Sequence, residues 1–296
     1  MRVCIATNWD NGKGLQRDTE QLRAFLLNRN HEVVLAHTER DKTAPTSNLL
    51  IFLETVRPAF FSSAPRRWIV PNAEWWEATP YLDDIERVLC KTHDALRIFS
   101  GLAGEKASFL GWAALDRYDP SVPRNRAFLH VAGGSAVKGT AAVVDAWRRY
   151  GATTPPLTLV SSVWRGMRPS RVQLFRNIPD AALRQMQNQC MFHLQPSEYE
   201  GFGHVLWEPL SVGAVLVTTG APPMSDVPAH THLPVVSTYS LRVATMNRVA
   251  WPAVLETIRR LMSLSDGEIA DIRATARAAY EAASTAFTAR LGEAFS

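Results

Sequence analysis

A chain of 296 residues, 46% hydrophobic and 20% charged, has the balance of an ordinary globular protein and the length for two domains. No apolar run approaches the roughly 18–20 residues of a membrane span, and the start, apolar from Val3 to Ala6 and polar by Asn8, lacks the long stretch of a secretory signal. The net charge of +4 and pI of about 9.1 fit an anionic substrate, a nucleic acid or an anionic surface without choosing among them.

Arg2 to Thr7 reads as a buried strand, and 11–14 as a tight loop. Arg17 to Asn28 then carries Leu22, Phe25 and Leu26 among charges, as an amphipathic helix does. Strands follow at Glu32 to Ala36, Asn48 to Leu53, Trp68 to Val70 and Arg87 to Cys90, with a helix from about His93. The stretch 119–126, with Pro120 and Pro123, is the linker candidate. The rhythm then restarts: strands at Phe128 to Val131, Leu157 to Ser161, Val172 to Phe175, Met191 to Leu194 and Val215 to Thr218. Helices are expected at Gly139 to Tyr150, from Asp180 to about Gln189, at Gly203 to Val212, at Trp251 to Met262 and at Asp266 to Leu291. Strands alternating with helices argue for parallel α/β sheets. The expected domains are 1–122 and 123–296, the last helix able to pack back on the first. A ligand is expected in a cleft between them, at the carboxyl ends of the strands. Cys4, Cys90 and Cys190 have neither a CxxC nor a Cys/His ligand spacing and read as reduced thiols of a cytoplasmic protein.

The most informative segment runs from Gln195 to Glu208. A strand ends, a turn follows, and a helix begins at Gly201 and Gly203, where backbone amides can approach a ligand and a helix N-terminus draws anions. Glu200 precedes that helix and Glu208 lies within it, so both can face one pocket. A carboxylate accepts two hydrogen bonds from a vicinal diol, the pattern offered by a sugar or a ribose. A second segment, 128–139, is a strand ending at Gly133-Gly134-Ser135 with Lys138-Gly139 beyond it. Backbone amides of Gly133 to Ser135 can form an anion nest and Lys138 can meet a phosphate, or Lys138 is a solvated surface lysine.

The first of these segments resembles the Glu-x7-Glu signature of the GT-B retaining glycosyltransferases, the glycogen-synthase-like group 1 enzymes, and the run from Gly213 to Thr218 matches the same pattern. The second resembles the family's strand ending in Gly-Arg with Lys-Gly shortly after, except that Gly134 stands in place of the arginine. The resemblance implies two Rossmann-like domains facing across a cleft and transfer of a sugar from a nucleotide-diphosphate donor, a co-substrate, with no further cofactor. It assigns Glu200 to the donor sugar, Lys138 to the diphosphate, and Gly201, Phe202 and Gly203 to sugar and diphosphate. Glu208 takes the ribose, while Asn177 and Ile178 frame the base. The general pattern of Cys90-Lys91-Thr92, Gly111-Trp112, the strand from Phe128 to Gly133 and Lys138-Gly139-Thr140 resembles a compact subgroup of glycosyltransferases found in bacteria and their phages. The acceptor is then a glycan, lipid or small molecule, or a hydroxymethylated base in phage-type DNA, for which the basic stretch with Trp164, Arg165, Arg168, Arg171 and Arg176 offers a surface.

Acceptor-side candidates are Gly12 and Gly14 after the first strand, Glu74 after the fourth, beside Asn72, Trp75 and Trp76, and Lys91 and His93 after the fifth. A dinucleotide fingerprint would need a third glycine where Arg17 stands, which weakens a hydride-transfer reading. No Asp-x-Asp or HExxH string occurs, so a metal is not implied. The competing readings are a nucleotide-sugar epimerase or hydrolase, and a non-catalytic nucleotide-sugar or nucleic-acid binding protein.

Overall fold

The computed structural model describes every residue except Lys13, Ala78, Thr79, Ala152 and Ser296. Lys13, in the loop expected at 11–14, thus lies outside the described residues. The chain divides into two compact units, one of Met1–Trp112 with Arg242–Ala244, the other of Ala113–Leu241 with Thr245–Ser296.

The first unit holds a six-stranded parallel sheet of β1 (Arg2–Thr7), β2 (Glu32–His37), β3 (Leu49–Leu53), β4 (Arg66–Val70), β5 (Arg87–Cys90) and β6 (Ala107–Phe109). The order across the sheet is β2-β1-β3-β4-β5-β6. Every residue of β3 is buried, as befits a strand covered on both faces. Helices α1 (Gly14–Asn28) and α2 (His93–Ala103) follow β1 and β5. Thr92 caps α2, its hydroxyl accepting from the Ala95 amide at 3.0 Å.

The second unit holds β7 (Asn125–Gly133), α3 (Thr140–Tyr150), β8 (Leu157–Ser161), β9 (Val172–Phe175), α4 (Asp180–Gln189) and β10 (Cys190–Gln195). After these come α5 (His204–Ser211), β11 (Val215–Thr219), β12 (Thr231–Leu233), β13 (Val235–Leu241), β14 (Ala244–Val249), α6 (Trp251–Ser263) and α7 (Asp266–Ala294). Its parallel sheet runs β9-β8-β7-β10-β11-β12, so the strand order reverses between β7 and β10. Alternation along β7 sends Phe128 into one apolar layer with Val143, Trp147 and Ile258, and Ala127, Leu129 and Val131 into the other with Ile178, Leu183 and Val205. Ser265 and Glu268 form a capping box that starts α7.

The units divide ahead of the proline-punctuated stretch at 119–126, which is anchored to the second unit. The Arg117 guanidinium meets Asp180 at 3.1 Å and the Gln187 side-chain oxygen at 2.5 Å, and the Asp119 amide donates to Asn188. Strands β6 and β12 and the β13–β14 hairpin had no counterpart among the expected elements. The first two are three residues long, and the hairpin turns at Arg242, a non-glycine residue with φ of 54°, instead of at an Asn-Gly or Asp-Gly signal. No helix among the described residues is long and apolar enough to cross a membrane.

Candidate active site

In a doubly wound sheet the place where strand order reverses opens a crevice at the carboxyl ends of the strands. In the second unit that place lies beyond β7 and β10, and the loops leaving these two strands carry the residues singled out from the sequence. The two loops are locked together. The Glu198 amide donates to the Val137 carbonyl at 2.9 Å. Gly139, with φ of 67°, packs so closely on the other loop that a Cβ there would stand 2.1 Å from the Pro196 carbonyl oxygen. Only glycine fits this position. From below, Thr218 and Thr219 at the end of β11 donate to the carbonyls of Gln195 and Ser197.

This packing brings Lys138 to Glu200. The Lys138 Nζ donates to both carboxylate oxygens at 2.6 Å, with the two side chains 16% and 7% exposed. Gly201, Phe202 and Gly203 are buried around the turn, and Gly203 caps α5. The Phe202 ring stacks parallel to Trp207 and meets His204 edge-on. Beneath the loops lies His130, fully buried, its ring nitrogens 2.6 Å from the Leu194 carbonyl and 2.9 Å from the Thr140 hydroxyl. Burial lowers its pKa to about 4, so the ring is a neutral strut between β7, β10 and α3.

Glu208 sits differently from Glu200. It is 1% exposed and accepts from the Gln187 side-chain amide at 2.6 Å; that amide's oxygen in turn accepts from Arg117, forming a relay from the exposed Asp180 through buried Arg117 and Gln187 to α5. The Ser135 amide is committed to a turn bond with the Ala132 carbonyl at 3.1 Å, which takes one donor from the expected anion nest. Gly134 is exposed. Asn177 is exposed in a left-handed conformation, φ 48°, and Ile178 is half-buried against Val205 at the start of α5. Sequence reading missed the β13–β14 hairpin, yet it braces the same turn. The Asn247 amide donates to the Glu198 carbonyl, and the Tyr239 hydroxyl donates to the Glu198 carboxylate at 2.7 Å.

The basic stretch around Trp164 folds on itself, with Arg165 and Arg176 both donating to the carbonyls of Ser162 and Trp164.

In the first unit the acceptor-side candidates separate. Lys91 is buried and paired with Asp18 at 2.5 Å. His93 is exposed at the first turn of α2, stacked on Phe109 with ring centroids 4.0 Å apart. Glu74 lies in a short turn whose carbonyl accepts from Arg242. Gly12 is exposed, its amide donating to the Gln16 side chain, and Gly14 opens α1. Among the described residues no group of three or more His, Cys, Asp or Glu side chains is gathered as a metal site.

No family model and no curated protein matches this sequence. Solved structures do. Sucrose-phosphate synthase from Thermosynechococcus elongatus superposes with a TM-score of 0.73 at 12% identity, over 100% of this chain and 98% of its own. HepE from Anabaena, solved with UDP and glucose, gives 0.70 at 12% identity, over 100% and 99%. The pneumococcal O-GlcNAc transferase GtfA, solved with UDP and GlcNAc, gives 0.65 at 15% identity over 92% of this chain. The fold is GT-B. This chain spans only 58% of GtfA and 59% of the matched chain of a GtfA/B complex.

Proposed function

We propose that this GT-B chain is a glycosyltransferase that moves a sugar from a nucleotide-diphosphate donor, with a uridine diphosphate sugar the first to try, onto a hydroxyl acceptor with retention at the anomeric carbon. The observation that carries the reading is the meeting of Lys138 and Glu200 where the strand order of the second unit reverses. A cation for a diphosphate and a carboxylate for sugar hydroxyls stand side by side there, next to the N-terminus of α5.

As the bond between the anomeric carbon and the phosphate oxygen breaks, negative charge builds on the leaving diphosphate. Lys138 and the α5 dipole are already aimed at that charge and stabilise it without reorganising. Glu200, released from Lys138 by the arriving phosphate, takes sugar hydroxyls and orients the ring. The acceptor oxygen attacks from the face the diphosphate leaves, and its proton passes to a phosphate oxygen, so no protein nucleophile is needed. Glu208, held through Gln187, takes the ribose, while Asn177 and Ile178 border the base. Gly133, Gly134 and Ser135 line the phosphate side. The acceptor is a glycan, a lipid-linked sugar or a small molecule, and the setting is cytoplasmic, in keeping with three free buried cysteines. A DNA base is the less favoured acceptor, because the arginines Arg165 and Arg176 are engaged with their own loop.

The test is release of nucleoside diphosphate from a panel of nucleotide sugars, with and without acceptors, and the anomeric configuration of the product. Transfer should fall about 10²–10³-fold in Lys138→Ala, as for the loss of one charge-stabilising donor. Glu200→Gln should lower kcat, while Glu208→Gln should chiefly weaken nucleoside diphosphate binding. Wild-type rates and affinities in all three would refute the assignment. Turnover indifferent to every acceptor would point to a hydrolase or epimerase, and binding without turnover to a non-catalytic protein.

A further inference from the structure

Strands β8 and β9 are parallel neighbours at one edge of the second unit's sheet, and such strands are usually joined through a helix. Residues 162–171 make this crossover without one. Trp164 takes the helix's place against the core, packing half-buried on the apolar layer of Val143, Trp147 and Ile258. Gly166 lies on its ring: a Cβ there would stand 2.5 Å from the indole. The Trp164 amide donates to the Ser161 hydroxyl oxygen at 3.1 Å, and the Met167 carbonyl accepts from Arg148 at 2.9 Å, which ties the loop to the last turn of α3. With the indole turned inward and the backbone held on both sides of it, Met167 is presented to solvent at 79% exposure. It is the most exposed large hydrophobic side chain among the described residues, and Val163 beside it is exposed as well.

The charge around this apolar tip is of one sign. From 146 to 179 the sequence holds Arg148, Arg149, Arg165, Arg168, Arg171 and Arg176 and no acidic residue. The whole chain carries +4, so without these six it would carry −2. All six are exposed, and hydrogen bonds join them into one strip. Arg165 and Arg176 meet at the Ser162 carbonyl, Arg171 reaches the Thr154 carbonyl, and Arg148 reaches Met167. Arg148 and Arg149 share Asp145, while the other four have no carboxylate partner among the described residues. A bond to a carbonyl occupies a donor but leaves the positive charge in place.

Nucleic acids and anionic lipids both attract such a strip, and the loop discriminates between them. A nucleic-acid backbone is held by donors aligned on individual phosphates, and most donors here are turned onto the protein's own carbonyls. A fluid anionic bilayer acts through its surface potential on any positive charge within about a Debye length. It also takes in apolar side chains at the boundary of headgroups and acyl chains, which gives Met167 a place to go.

We propose that the β8–β9 loop is a docking surface for an anionic lipid membrane, with Met167 entering the acyl boundary and the neighbouring arginines meeting the headgroups. Such docking does not depend on the glycosyltransferase reading. The Ser162 amide donates to the Gly133 carbonyl at 2.8 Å, so the base of the loop is joined to the end of β7, and a docked loop brings the site described above to the lipid surface.

The experiment sediments the full chain with vesicles of phosphatidylcholine, alone or mixed with phosphatidylglycerol, at low and at high salt. Wild type is compared with Met167→Ser and Arg168→Gln. Both side chains are exposed and make no hydrogen bond among the described residues, so both variants should melt as wild type does. The expected result is binding to the mixed vesicles and not to the neutral ones, weakened by salt. Arg168→Gln should weaken it about fivefold, the share of one charge near the surface, and Met167→Ser about tenfold, for the apolar chain no longer buried. Nucleoside diphosphate affinity should be unchanged in both. A chain that ignores the mixed vesicles at low salt, or variants that bind them as tightly as wild type, would overturn the inference. Tighter binding to duplex DNA than to the vesicles would mark the strip as a nucleic-acid surface and overturn it as well.

Discussion

Replacing Gly139 with alanine should disable the site while leaving the fold in place. The added Cβ would lie 2.1 Å from the Pro196 carbonyl oxygen and 2.9 Å from the Pro196 ring, and a φ of 67° is unfavourable for any side chain. Left-handed backbone costs a non-glycine residue about 1–2 kcal/mol, which a unit with this much buried core can bear. The collision is the larger matter. The oxygen belongs to backbone, so it cannot swing away, and the loops must part by about 1 Å to reach even a tight contact. Parting them loosens the bond from the Glu198 amide to the Val137 carbonyl and draws Lys138 from Glu200. A displacement of about 1 Å in groups that position reactants costs on the order of 10²-fold in rate. Gly104→Ala, at the end of α2, provides the control. Its φ of 57° also lies at positive values, but nothing stands within 4 Å of the added carbon, so it carries the backbone strain without the collision. Steady-state release of nucleoside diphosphate, with circular dichroism melts on both variants, measures the difference. Gly139→Ala turning over at the wild-type rate, or losing no more activity than Gly104→Ala, would refute the claim that this contact sets the Lys138–Glu200 geometry.

Acid should destabilise the second unit through His130 and His193, both fully buried with pKa values lowered to about 4. The unfolded chain binds these two protons near the ordinary value of 6.5, so stability is intact above pH 6.5 and falls as pH drops toward 4. Each histidine contributes a slope of about 1.4 kcal/mol per pH unit. Urea unfolding at pH 7, 6 and 5 checks this, and a profile that stays flat in wild type would contradict it; Glu54 in the first unit acts with the opposite sign, since burial raises its pKa and so favours the protonated fold. On the proposed reading transfer should persist in EDTA, because Lys138 and the α5 N-terminus would meet the diphosphate charge. Activity abolished by the chelator and restored by magnesium or manganese would show that a cation shares this task.

Much of the second unit is legible in the sequence because its strands are short apolar runs separated by turn residues, and because glycines mark both site loops. That Lys138 and Glu200 pair is invisible at that level: 62 positions separate them, and only the register of β7 beside β10 brings their loops together. The hairpin that braces Glu198 escapes notice because Ser237, Thr238 and Ser240 interrupt the apolar residues of β13, and none of its residues is fully buried. Glu208 stands out from its spacing to Glu200, but its bond to Gln187 is not legible, because it joins two helices whose residues lie 21 positions apart. In the first unit, Lys91 stands out after its strand. Glu54 does not, since nothing in Leu53-Glu54-Thr55 announces a left-handed turn at a position where glycine or asparagine would be expected.

Lys138 and Glu200 neutralise each other, so each must leave its partner before it can meet a ligand. A lone phosphate that captures Lys138 strands Glu200 at 7% exposure without its partner, and a lone sugar that captures Glu200 strands the ammonium. A molecule carrying both a diphosphate and adjacent hydroxyls replaces the pair on both sides at once. On the reading proposed above, the ion pair would act as a coincidence filter: free phosphate and free sugar would each compete against a tethered counter-ion, and only the intact conjugate would find both halves of the site released together.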